Sequence, residues 1–126
     1  MSGGGSPRKI LLAVREGHTR PRLFSSALEL CRRLDAEMDI VLVTDKRRPP
    51  VEIDAFLDSL RQAGLQYSLH LHPGLRRRDI VDYANSRECI TAVIIDSREG
   101  WEPLARDRTS DPWRRLACPL VTAEQQ

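Results

Sequence analysis

Lys9-Ile10-Leu11-Leu12-Ala13-Val14 is the stretch on which the fold turns. It is a continuous apolar run, too short for a helix and rich in Ile, Leu and Val, so it reads as a strand buried on both faces. Such strands belong to parallel sheets, whose neighbours need crossovers long enough to hold a helix. The flanking sequence supplies them. After Arg15 to Arg20, Pro21 stands where a first helical turn tolerates it, and Leu23, Ala27, Leu30, Cys31 and Leu34 recur at helical spacing. Ile40 to Thr44 is a second strand of the buried type, and Asp45 to Pro50, with its prolines and basic residues, is a loop. A second helix over Val51 to Ala63 presents Ile53, Phe56, Leu57 and Leu60 on one face and stops at Gly64.

Leu65 to His72 changes period. Leu65, Tyr67, Leu69 and Leu71 fall on one face and Gln66, Ser68, His70 and His72 on the other, which predicts an edge strand whose polar face meets solvent. Asp79 to Glu88 is a third helix burying Ile80, Val81 and Ala84, and Thr91 to Ile95 is another two-sided strand. Trp101 to Ala117 is read as a fourth helical stretch interrupted at Pro112, and Leu120 to Thr122 as a short last strand. Strands alternating with helices in this way predict a three-layer α/β/α sandwich around a five-stranded parallel sheet. One domain is expected over residues 8–126, behind a flexible Gly/Ser leader at residues 1–7. In such sheets ligands gather beyond the carboxyl ends of the strands, where strand order reverses. That places the search on Arg15-Glu16-Gly17-His18 and on Asp96-Ser97-Arg98-Glu99-Gly100.

Composition narrows the function class. Of 126 residues, 40% are apolar and 30% charged, with a net charge of +2, the balance of an ordinary soluble protein and not of a polycationic nucleic-acid binder or an acidic disordered tail. No apolar run approaches the roughly 18 residues of a membrane helix, so a cytoplasmic protein without a membrane partner is expected. Cys31, Cys89 and Cys118 are odd in number and widely spaced, which suggests neither a disulfide framework nor a zinc site.

The order of these elements resembles the universal stress protein family. Lys9 to Val14, the helix Ala27 to Met38 and the strand Asp39 to Thr44 match the family's opening. Ile90-Thr91-Ala92-Val93-Ile94-Ile95-Asp96-Ser97-Arg98 is similar to its fourth strand and loop, and Ala117-Cys118-Pro119-Leu120-Val121 to its closing strand. The resemblance implies strand order 3-2-1-4-5, the adenine nucleotide alpha hydrolase-like arrangement, and commonly a dimer through the last strand. Many members bind ATP with an aspartate after the first strand and a G-x-x-G, nine-residue spacer, G-[ST] segment after the fourth. Glycines there let backbone N–H groups approach phosphate closely.

In this chain those positions differ. Arg15 replaces the aspartate, and Asp96, Glu99 and Thr109 fall where the glycines are expected, with Ser110 matching the hydroxyl residue. Carboxylates at a phosphate seat repel it, so the expected function is a binding or regulatory module with no cofactor, not taking ATP in the family's way. The alternative is an ATP- or AMP-binding member in which Ala13, Val14 and Val43 line the base while Arg15, Ser97, Arg98, Thr109 and Ser110 meet the phosphates.

Other constellations carry less. His70 and His72 project from one strand face but lack a third ligand, so no metal is expected. The arginine pairs and Arg76-Arg77-Arg78 are interspersed with acids and lack interleaved aromatics, so no nucleic acid is expected. No nucleophile can be paired with a general base, so no catalytic residue is assigned and the protein is expected not to be an enzyme. Trp101 and Trp113 are expected either to cap the core or to anchor a dimer seam.

Overall fold

The computed structural model describes residues 8–75, 77–96, 101 and 112–123. Its elements are β1 (Lys9–Arg15), α1 (Pro21–Leu34), β2 (Glu37–Val43), α2 (Val51–Gln62), β3 (Tyr67–His72), α3 (Arg77–Asn85), β4 (Ile90–Ile95), a 3-10 turn (Pro112–Arg115) and β5 (Leu120–Thr122). The strands form one sheet in the order β3-β2-β1-β4-β5, and every neighbouring pair is parallel. This is the architecture expected from the alternation of apolar runs and helical periods.

β1 is central because its side chains serve two cores at once. Ile10, Leu12 and Val14 pack with Leu23, Ala27 and Cys31 of α1 and Ile53, Phe56, Leu57 and Leu60 of α2. Leu11 and Ala13 face the other way, onto Ile80, Val81 and Ala84 of α3 and the rings of Trp101 and Trp113. The period of two along a strand thus sorts a uniformly apolar run into two layers. Both tryptophans are buried in the α3 layer, which matches the core-capping alternative.

Several boundaries differ from expectation for local reasons. α1 begins with Pro21 and ends where Asp35 adopts the left-handed conformation, φ 52° and ψ 52°, so its N–H can reach back to the Arg32 carbonyl. Only Ala36 then separates the helix from β2, which starts at Glu37, three residues before Ile40. Arg32 and Arg33 in the last turn sit favourably at the negative end of the helix dipole. α2 stops as expected before Gly64, whose φ of +76° is the conformation glycine adopts without strain. α3 starts and ends slightly earlier than the expected Asp79 to Glu88. Of the fourth helical stretch, the described part is a 3-10 turn over Pro112–Arg115, and residues 102–111 lie outside the described residues.

The polar face of β3 departs further from expectation. Instead of facing only water, Ser68 Oγ donates to Asp39 Oδ1 at 2.9 Å, and His70 Nε2 lies 3.4 Å from the same atom. Tyr83 of α3 donates to Asp39 Oδ2 at 2.6 Å. Asp39 is 3% exposed, so this carboxylate, inside β2, depends on donors from both neighbouring elements. Burial, together with Asp39, pushes the Tyr83 phenol up to about 12. An ordinary tyrosine ionises near 10. The stabilisation due to neutral Tyr83 is therefore complete below pH 10 and is lost as pH rises from 10 towards 12. Of the two tyrosines, one is expected to titrate late in an absorbance titration at alkaline pH, and Tyr83→Phe should remove that late step; a late step that persists in the variant would contradict the assignment.

Candidate functional site

β1 and β4 are adjacent in a parallel sheet, so their carboxyl ends open on the same edge of the molecule; β1 ends in Arg15, and Asp96 directly follows β4. Arg15 Nη2 donates to Asp96 Oδ2 at 2.7 Å, with the side chains 17% and 10% exposed. The other oxygen, Asp96 Oδ1, accepts the Trp101 indole N–H at 3.2 Å. The Arg15 guanidinium also stands 5.0 Å from the centre of the Trp101 ring, within cation–π range. His18, from the loop after β1, adds Nδ1 at 3.9 Å from Asp96 Oδ2. The Asp96 carboxylate is thus charge-balanced and anchored at both oxygens, and the guanidinium is fixed between an acid and an aromatic face.

This arrangement corrects one part of the sequence argument. Asp96 is not a bare carboxylate held against an incoming phosphate. It is paired at 2.7 Å with Arg15, the residue that is also the candidate point charge for an anion.

Beside it, Glu16 and Thr44 join the ends of β1 and β2. Thr44 Oγ1 donates to Glu16 Oε1 at 2.6 Å and Lys46 Nζ lies 2.7 Å from Glu16 Oε2. These donors, Lys46 first, hold the Glu16 carboxyl below its usual range. On the α1 side of the mouth lies a cleft of about 300 Å³, bordered by Arg20, Arg22, Leu23, Asp96 and Ala123.

The other residues singled out from sequence separate in space. Ala13 lies in the α3 layer, above a small cavity of about 90 Å³ that it lines with Val41, His72 and Tyr83. Val14 is 1% exposed in the opposite layer, so Ala13 and Val14 do not present side chains to one pocket. Val43 is half-buried on the Ala13 side, opposite Arg15 in register. Ser97, Arg98, Thr109 and Ser110 lie outside the described residues. Among the described residues no group of three or more His, Cys, Asp or Glu is placed to hold a metal, and no helix is long and apolar enough to cross a membrane. Cys31 is buried and its thiol is pushed up to about 11, which leaves it protonated and inert at neutral pH.

Sequence reasoning placed Arg15 and Asp96 at the mouth without joining them. The signal was present, since residues of opposite charge directly follow the apolar runs of two strands that strand order makes neighbours. Trp101 as the second anchor carried no such signal.

No protein-family model matches the sequence, and a search of curated proteins finds no match. Solved structures do match. A universal stress protein from Archaeoglobus fulgidus superimposes with a TM-score of 0.61 at 20% identity, covering 91% of this chain and 92% of that one. A protein from the universal stress protein family from Burkholderia pseudomallei gives a TM-score of 0.57 at 17% identity, over 95% and 98% of the two chains. From strand order to chain coverage, this protein has the universal stress protein fold.

Proposed function

We propose that the protein is a universal-stress-protein-like binding or regulatory module, cytoplasmic and homodimeric, that serves a protein partner and does not take ATP in the way usual for such proteins. The observation that carries this reading is the 2.7 Å pair between Arg15 and Asp96 at the mouth of the sheet. An incoming triphosphate would have to break a largely buried ion pair and leave a carboxylate beside its own charge, a cost of several kcal/mol before any contact is gained. The module works by binding and not by turnover, and no nucleophile is assigned to it. Calorimetric titration with Mg-ATP and with AMP is expected to show no association tighter than high micromolar. Saturable low-micromolar binding, or nucleotide turnover abolished by a single substitution, would overturn the reading.

The cleft of about 300 Å³ favours one alternative, an ATP- or AMP-binding protein with a variant phosphate site. Arg20 and Arg22 border that space, at the positive end of the α1 dipole. Under this alternative the same titration saturates and is weakened by Arg22→Ala or Arg98→Ala.

A further inference from the structure

We draw no further inference here: the strongest candidate, the cleft of about 300 Å³ that Arg20 and Arg22 border at the start of α1, belongs to the mouth already described and offers, beyond a helix N-terminus, nothing that shows which ligand would fill it.

Discussion

Asp96→Ala is expected to lower folding stability by about 3 kcal/mol, as measured by urea unfolding, because it breaks a 2.7 Å pair with the Arg15 guanidinium in which both side chains are largely buried. It also removes the acceptor of the buried Trp101 indole. Arg15→Met combined with Asp96→Leu should recover most of that loss, since an apolar pair of similar volume avoids the desolvation of two charges. A double variant as unstable as Asp96→Ala would mean that packing, not charge, dominates the site. The same substitution tests the functional reading. With the acid gone, the repulsion at the mouth goes too, and Mg-ATP binding should tighten by about tenfold, equivalent to about 1.4 kcal/mol. Unchanged binding to the folded variant would remove the Arg15–Asp96 pair as the reason for exclusion.

Leu12→Ala should be the most damaging single truncation, with a loss of about 3–5 kcal/mol and no change in the slope of the unfolding transition. Leu12 is fully buried in the middle of the central strand, and its neighbours in register, Ile40 on β2 and Ile94 on β4, are fully buried in the same layer. The walls of the void belong to three adjacent strands tied by backbone ladders, which resist collapse into the space. Single domains are stable by only about 5–15 kcal/mol, so the variant is expected to be partly unfolded at physiological temperature. A loss below about 1 kcal/mol would indicate that the layer relaxes around the truncation.

Much of the architecture was legible because it follows from periodicity. The apolar runs of β1 and β4 and the helical spacing of Leu23, Ala27 and Cys31 are patterns that persist whatever the side chains meet. The reading weakened at Glu37 to Asp39, where acidic residues obscured the start of β2. An aspartate is a poor strand residue until a tyrosine and a serine from elsewhere satisfy it, and Tyr83 and Ser68 come from elements far along the chain. The candidate site was legible as two loops with altered phosphate positions, but its state was not. Arg15 and Asp96 are separated by 81 residues, and whether each faces an anion or the other depends on the register between β1 and β4.

The linear order of residues was sufficient for the alternation of strand and helix, the two-layered burial of β1 and the location of the mouth, because those depend on local hydrophobic period and on the geometric limits of parallel crossovers. Only the tertiary structure decided that the mouth is occupied by its own ion pair, that Trp101 anchors it and that Asp39 is satisfied in the interior. Each of these outcomes rests on hydrogen bonds a few ångströms long between groups that the chain brings together only when the sheet is assembled.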